Sequence, residues 1–289
     1  MAHPVWTILA LIRWADERFQ KEGLTTPRLD AEILLAEALG TDRIGLYTHF
    51  DQPLRPDELA RFKQLILRRL RREPVAYILG RKELWSLPFK VTPHVLIPRP
   101  ETELLVSEAL QVLGSVNAAP RILEIGTGSG AISVSLAAEI EGASIVATDL
   151  SPQALSVAEE NARQNGVRER IVFVEGDLFQ PLRKGDPFDL VVTNPPYIPR
   201  EQFPSLMPEV RDFEPRMALD GGAGGLEFFR RALPAAGGFL RPGGWFLAEM
   251  GEGQDQRVRK IAETAPDLDC FDFVKDLAGI RRVFKARKK

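Results

Sequence analysis

The first seventy residues of the chain carry apolar side chains at helical spacing. Leu34 and Ala38, four residues apart, illustrate a pattern that repeats along this stretch, and such a period is typical of amphipathic helices. Breaks at Gly23 and Gly40 divide the stretch into short helices. The pattern therefore predicts a small helical domain, which we place at residues 1–73.

Short apolar runs separated by prolines follow this domain. Between Pro74 and Pro100 further prolines stand at positions 88, 93 and 98, which suits extended strands or a hairpin. We expect a β-hairpin linker at residues 74–103 and a second domain at residues 104–289.

Strand-like and helical segments alternate in the second domain. The strand-like runs are RILEIG, SIVATD, RIVFVEGD, FDLVVTN, WFLAEM, FDFVKDL and RRVFKAR. Such alternation predicts a doubly wound, Rossmann-like α/β sheet. Only residues 278–280 separate the last two runs, too few for a helical crossover, so these runs should form a terminal antiparallel hairpin.

Charge and cysteine content narrow the classes of function. Lys and Arg number 38 against 40 Asp and Glu, a net charge of −2, which gives no global attraction to nucleic acid. The single cysteine, Cys270, excludes an internal disulfide and a thiolate metal cluster. The early apolar run at residues 5–12 is far shorter than the ~20 residues of a membrane span, and no basic n-region of a signal peptide precedes it. We expect a cytoplasmic protein that makes no membrane contact.

A predicted helix at residues 61–72 is rich in arginine and lysine and contains no acid. Two interpretations stay open. The basic residues form a solvated helix face, or they form a contact surface for an acidic or nucleic-acid partner.

A glycine-rich loop follows the first strand of the second domain. The strand at residues 122–125 runs into Gly126-Thr127-Gly128-Ser129-Gly130, and a helical pattern begins at Ala131. Glycines let the backbone approach a ligand, and the helix N-terminus offers unpaired N–H groups. The loop indicates a nucleotide-type site, although a structural turn and the relaxed dinucleotide fingerprint G-x-G-x-x-G/A fit the same residues.

Carboxylates end the next two strands. Asp149, at the end of the second strand, can accept hydrogen bonds from both hydroxyls of an adenosine ribose, or it can help to cap the helix that begins after Ser151. Asp177 ends the third strand and is placed to approach the adenine amino group, with Leu178 or Phe179 packing on the ring. A strand-end carboxylate without a ligand is the alternative for Asp177.

The tetrapeptide Asn194-Pro195-Pro196-Tyr197 follows the fourth strand. Consecutive prolines fix the backbone and donate no N–H, so their carbonyls are available as acceptors. The Asn194 side-chain oxygen and the Pro195 carbonyl can together hold a planar –NH₂ group, on which Tyr197 can stack. Its place after the fourth strand favours this interpretation over a simple turn.

These residues resemble the class I S-adenosylmethionine-dependent methyltransferases. Four stretches narrow the match to the bacterial peptide chain release factor glutamine methyltransferases of the PrmC/HemK family: GRKELWSLPFKVTPHVLIPRPETE at 80–103, EIGTGSGAI at 124–132, NPPYIP at 194–199 and EVRDFEPRMALDGGAGGL at 209–226. The resemblance covers essentially the whole chain. It implies methylation of the side-chain amide of the glutamine in the Gly-Gly-Gln motif of class I release factors.

The resemblance also implies roles for individual residues. S-adenosylmethionine, with S-adenosylhomocysteine as product, would be held by Gly126, Thr127, Gly128, Ser129, Gly130, Asp149, Asp177, Leu178 and Asn194. Asn194, Pro195, Pro196 and Tyr197 would form the glutamine site, with Asn194, Pro195 and Tyr197 acting in catalysis. The family commonly has tryptophan where this chain has Leu178, so we expect aliphatic packing on the adenine.

No histidine lies in the glycine loop, at the ends of the second and third strands or in the NPPY loop, and no metal-ligand spacing occurs, so we predict that the protein uses neither a metal nor a dedicated general base. We also expect a monomer. An amide nitrogen is a poor nucleophile, and we expect orientation to replace a strong base. The alternatives are an adenine amino methyltransferase acting on DNA or RNA, which the net charge disfavours, a dinucleotide-dependent oxidoreductase, and a non-catalytic nucleotide-binding module.

Overall fold

The computed structural model describes residues 6–114, 119–183, 185 and 187–289. The chain forms two compact units. The first comprises the chain up to Gly80 together with Pro208–Phe213, and the second comprises Arg81–Met207 and Glu214–Lys289. The boundaries predicted at residues 73 and 103 remain predictions. Within the described ranges, no helix combines the length and the apolar character that crossing a membrane requires.

The first unit is helical, as its apolar spacing predicted. Its helices in the N-terminal region are α1 Ile8–Lys21, α2 Pro27–Leu39, α3 Arg43–Thr48, α4 Pro56–Leu70 and α5 Val75–Leu79. The Thr7 side chain caps α1 by accepting the Ala10 N–H, and α2 ends at Gly40 in the left-handed conformation. Phe19, Leu34 and Ile66 are fully buried in the core that these helices share.

The basic residues predicted on one helix lie mostly on α4, and carboxylates from elsewhere in the first unit neutralise several of them. Arg69 is buried, with Nε 2.7 Å from Asp30 Oδ2 and a terminal nitrogen 3.1 Å from Glu209 Oε1. Arg68 pairs with Glu73. These contacts argue against a basic contact surface, because the charge of these arginines is already compensated.

The second unit begins with a hairpin inside the predicted linker. Strands β1 Arg81–Leu84 and β2 Leu87–Lys90 pair antiparallel. Trp85 and Ser86 connect them with φ of 52° and 56°, which is typical of a type I′ turn.

A seven-stranded sheet forms the centre of the second unit and confirms the predicted α/β fold. The strands are β3 Arg121–Ile125, β4 Ser144–Asp149, β5 Ile171–Glu175, β6 Phe188–Thr193, β7 Leu240–Glu249, β8 Leu268–Lys275 and β9 Arg281–Lys288. Their spatial order is β5-β4-β3-β6-β7-β9-β8. The first five are mutually parallel, and β9 pairs antiparallel with both β7 and β8. The terminal hairpin is therefore present as predicted.

Helices cover both faces of this sheet. The remaining helices are α6 Thr102–Leu113, α7 Ala131–Glu139, α8 Pro152–Gln164, α9 Pro208–Phe213 in the first unit, α10 Arg216–Leu219, α11 Glu227–Ala236 and α12 Asp255–Ala262. Alternate strand residues enter different cores. Ile122 packs in the cluster that contains residues of α6 and α7, whereas Leu123 packs in the cluster that contains residues of α11 and α12. Burial on both faces is why these strands read as continuous apolar runs.

The strand order places the loops that carry the sequence motifs at one edge of the sheet. The chain runs outward from β3 through β4 to β5, and then returns to the other side of β3 with β6. Open parallel sheets bind ligands at such a switch point, beyond the carboxyl ends of the strands. The loops after β3, β4 and β6 therefore converge on one region.

Candidate active site

A cavity of about 380 Å³ opens at this switch point, a volume in the range of small-molecule sites. Loops after β3, β4, β5 and β6 line it, together with segments near residues 94–102 and 215–231. The structure brings most of the sequence-predicted residues together on its wall: Gly126, Thr127, Gly128, Ser129, Asp149, Asp177, Leu178, Asn194, Pro195 and Pro196. Gly130 and Tyr197 lie outside this lining.

The glycine loop is held open by backbone hydrogen bonds. The Thr148 carbonyl accepts the N–H groups of Gly126 at 2.8 Å and Thr127 at 2.9 Å. Gly126 and Gly128 adopt positive φ, which glycine allows without strain. Gly130 also has a positive φ and in addition packs closely against α8, because a Cβ built on it would lie 3.1 Å from the Ala158 Cβ; its contact with the cofactor stays a prediction.

The Asp149 carboxylate faces the glycine loop. Oδ2 accepts the Gly128 N–H at 2.8 Å and Oδ1 accepts the Ser151 N–H at 2.9 Å. Burial raises the pKa of Asp149, while these backbone donors lower it. The Ser151 hydroxyl caps α8 by accepting the Ala154 N–H. Since each carboxylate oxygen keeps acceptor capacity, Asp149 can hold vicinal hydroxyls.

Glu124, which the sequence patterns did not single out, also lines the cavity. Its Oε2 accepts the Thr127 hydroxyl at 2.7 Å and the Ser133 N–H at 3.1 Å. Burial raises the pKa of this carboxyl to about 7, against the lowering effect of those donors. In the sequence Glu124 is one position within β3. Only its place directly before the glycine loop could have indicated a role in the site.

Asp177 and Leu178 line the cavity from the loop after β5. The Asp177 carboxylate pairs with Arg231, which also lines the cavity. Leu178 has a φ of 50°, an uncommon conformation for a side chain of this size. Phe179, the other candidate for ring packing, stacks on Phe239 in the core with ring centroids 4.5 Å apart.

The Asn194 carboxamide makes one hydrogen bond and leaves its oxygen unpaired. Its Nδ2 donates to Thr102 Oγ1 at 3.1 Å. Its Oδ1 is buried without a hydrogen-bond partner among the described residues. A buried acceptor without a donor is destabilising, and a ligand that donates an N–H would satisfy it.

The Tyr197 side chain is held by the end of β7. Its hydroxyl donates to Glu249 Oε1 at 3.2 Å, and its carbonyl accepts from Gln254 Nε2 at 2.9 Å. Burial, with the neighbouring Glu249 carboxylate, raises the pKa of Tyr197. The hydrogen bond to Glu249 therefore holds the Tyr197 side chain at the end of β7. Its stacking on an amide remains a prediction.

The glycine-rich segment at residues 214–226 supports the NPPY loop from behind. Ile198 N donates to the Leu219 carbonyl, and Gly221 N donates to the Ile198 carbonyl, both at 3.0 Å. A Cβ on Gly221 would lie 2.8 Å from the Pro196 carbonyl oxygen. Close backbone approach explains why glycines are required there, and it joins two motifs that are separate in sequence.

Residues before α6, and the first residue of α6, also line the cavity, although the sequence analysis assigned them no role. His94, Arg99 and Thr102 line the cavity, although no histidine was expected near it. Arg99 pairs with Glu214, whose other oxygen accepts the Ile97 N–H at 3.2 Å. Their only sequence signal was the proline-rich stretch at 80–103, which carried no assigned role.

Models of two known families match the chain. The PrmC N-terminal domain matches residues 10–80, and the methyltransferase small domain matches residues 101–207. A methyltransferase from Pyrococcus furiosus shares the fold, with a TM-score of 0.51 at 18% identity over 72% of this chain and 91% of that one. The fold and the site thus define a class I methyltransferase with an additional helical domain.

Curated relatives specify the family. The release factor glutamine methyltransferase of Geobacter sulfurreducens is 46% identical over 98% of this chain and 97% of its own length. That of Moorella thermoacetica is 43% identical over 95% of this chain and 96% of its own length. The chain belongs to the release factor glutamine methyltransferase family.

Proposed function

We propose that this protein transfers a methyl group from S-adenosylmethionine to the side-chain amide nitrogen of the glutamine in the Gly-Gly-Gln motif of class I release factors. The observation that carries the proposal is the carboxamide of Asn194, a residue that lines the cavity beside the glycine loop and whose buried oxygen has no hydrogen-bond donor among the described residues. A primary amide supplies the N–H that this acceptor lacks.

The residues of the glycine loop and of the β4 end fit S-adenosylmethionine. Positive φ at Gly126 and Gly128 opens the backbone for close approach. Asp149 offers an acceptor on each oxygen for the ribose hydroxyls, and Leu178 offers an apolar surface for the adenine. When bound, the cofactor supplies an electrophilic methyl group on its sulfonium.

The protein's own contribution is to orient the substrate amide. Asn194 Oδ1 and the Pro195 carbonyl would accept the two N–H groups and expose one face of the nitrogen. Orientation of reactants accounts for roughly 7 to 11 kcal/mol in well-aligned reactions. The same acceptors would stabilise positive charge that develops on the nitrogen. Among the described residues, no cluster of histidine, cysteine and acidic side chains could hold a metal ion, and a metal-independent reaction stays a prediction.

The proposed substrate sets the remaining assignments. Release factors act on ribosomes, so we place the protein in the cytoplasm and assign it no membrane partner. We assign it no nucleic-acid substrate, because its net charge of −2 gives no general attraction to phosphates. The monomeric state remains a prediction, which light scattering would test.

The function is tested by mass spectrometry of a class I release factor incubated with the protein and S-adenosylmethionine. We expect the glutamine peptide to gain the mass of one methylene. A release factor with that glutamine changed to glutamate is the matched control and should gain nothing. A methyl group found on a DNA control instead would agree with the enzyme class and would overturn the proposed substrate.

Asp149→Ala should weaken S-adenosylmethionine binding by about 10-fold to 100-fold, because charge-assisted hydrogen bonds to the ribose are lost. Calorimetry measures this affinity directly. Asp272→Ala, which removes an exposed carboxylate from β8, is the control and should bind normally. Unchanged affinity in Asp149→Ala would remove this residue from the cofactor site.

A further inference from the structure

Asn194 ends a chain of hydrogen bonds that runs from the cavity into the protein. Its Nδ2 donates to Thr102 Oγ1 at 3.1 Å, and the Thr102 hydroxyl donates to Glu249 Oε2 at 2.8 Å. The Tyr197 hydroxyl donates to the other Glu249 oxygen at 3.2 Å. These residues come from the start of α6, the end of β7 and the loop after β6.

The protons that each group can donate determine the direction in which these hydrogen bonds run. When Glu249 is ionised, its carboxylate only accepts hydrogen bonds, and a threonine hydroxyl has a single proton to donate. Because Thr102 gives that proton to Glu249, it presents only lone pairs to Asn194. The Asn194 –NH₂ must therefore face Thr102, and its oxygen occupies the other arm of the carboxamide, where the structure leaves it unpaired.

Glu249 is an unusual residue for a purely structural position. It is 1% exposed, and burial raises its pKa, while the hydroxyls of Thr102 and Tyr197 lower it. The charge of Glu101 also raises this pKa, and Arg282 lowers it. Burial of a carboxylate is unfavourable without compensation, and such groups concentrate at functional sites.

We propose that Thr102 and Glu249 are positioning residues that hold the Asn194 carboxamide with its oxygen toward the substrate nitrogen. The inference rests on the proposed function, because it assigns these residues to the amide site. If the Asn194 carboxamide rotated by 180°, its –NH₂ would face the N–H groups of the substrate, and the acceptor would be lost. The effect should therefore fall on turnover and leave cofactor binding intact.

Thr102→Val and Thr102→Ser separate this role from packing. Valine keeps the shape and removes the hydroxyl, whereas serine keeps the hydroxyl. We expect Thr102→Val to lower kcat by about tenfold or more, with unchanged S-adenosylmethionine affinity by calorimetry. Thr102→Ser should recover most of that loss. Thr26→Val is the matched control, because the Thr26 hydroxyl likewise donates to a carboxylate at 2.8 Å, that of Asp30, and neither residue lines the cavity.

A double-mutant cycle then tests whether Thr102 acts through Asn194. In an Asn194→Ala background, Thr102→Val should cause no further loss of kcat, because the group to be oriented is gone. Additive losses would overturn the inference, as would wild-type kcat in Thr102→Val. Equal losses of kcat and thermal stability in Thr102→Val and Thr26→Val would also overturn it. A wild-type protein that leaves the release factor unmethylated would instead refute the proposed function, and the inference would fall with it.

Discussion

Asn194→Ala is expected to lower methylation of the release factor by about 100-fold to 1000-fold, the loss typical of removing one preorganised group that stabilises developing charge. Alanine removes a buried side-chain acceptor of a cavity-lining residue, one that has no hydrogen-bond partner among the described residues. The substrate amide would then keep the Pro195 carbonyl alone and would lose its orientation. Single-turnover kinetics at saturating cofactor measures the effect on the chemical step.

Cofactor binding should survive this substitution in large part. Asp149 and the glycine loop form hydrogen bonds that do not involve Asn194, so the affinity for S-adenosylmethionine should change by less than about tenfold. Asn165→Ala is the matched control, since its carboxamide bonds the Pro88 and Asn161 carbonyls away from the cavity. Wild-type turnover in Asn194→Ala would refute the role assigned to this residue.

The sequence was sufficient to predict the fold and the parts of the site that lie at strand ends. Continuous apolar runs located the parallel strands, and parallel strands bring their carboxyl ends to one edge. The placement of Asp149 and Asn194 at the same cavity follows from that geometry. A short connection at residues 278–280 was likewise enough to predict the antiparallel pairing of β8 with β9.

The sequence was insufficient where a role depends on a contact between distant segments. Thr102 and Glu249 meet 147 residues apart, and neither lies in a local pattern that indicates chemistry. The hydrogen bond from the Tyr197 hydroxyl to the buried carboxylate of Glu249 on β7 likewise had no sequence signal. Gly130 was assigned to the cofactor by its place in the loop, and that assignment stays a prediction, but its close approach to Ala158 could not be predicted from the sequence. Local spacing cannot distinguish a glycine that faces a ligand from one that faces a helix.

The charge of the helix α4 illustrates the same limit for electrostatics. Its basic residues stand in a stretch without acids, so the sequence left open a contact surface for an acidic partner. Asp30 and Glu209 reach Arg69 from 39 and 140 residues away. Whether a charged run is compensated depends on tertiary contacts, which charge counting along a helix does not contain.

Gly225→Ala should lower turnover by about 100-fold through displacement of the NPPY loop, since small misplacements of reacting groups have effects of this size. A Cβ on Gly225 would lie well inside the van der Waals contact distance to the Tyr197 carbonyl oxygen and 2.5 Å from Gln254 Nε2. Because Gln254 Nε2 donates to that same carbonyl at 2.9 Å, the loop cannot move aside without losing this hydrogen bond. Steady-state kinetics with the release factor measures the loss.

Gly166→Ala separates this steric effect from backbone strain. Both glycines have a φ of 71°, but a Cβ on Gly166 would meet no atom within 4 Å. Each alanine carries the roughly 1 to 2 kcal/mol penalty of the left-handed conformation, so both variants should lose thermal stability. Only Gly225→Ala should also lose turnover in the protein that remains folded. Equal turnover in the two variants would mean that the position of the NPPY loop does not depend on the close approach of the segment at residues 214–226. The two prolines of the NPPY loop would then be sufficient to hold Asn194 in place.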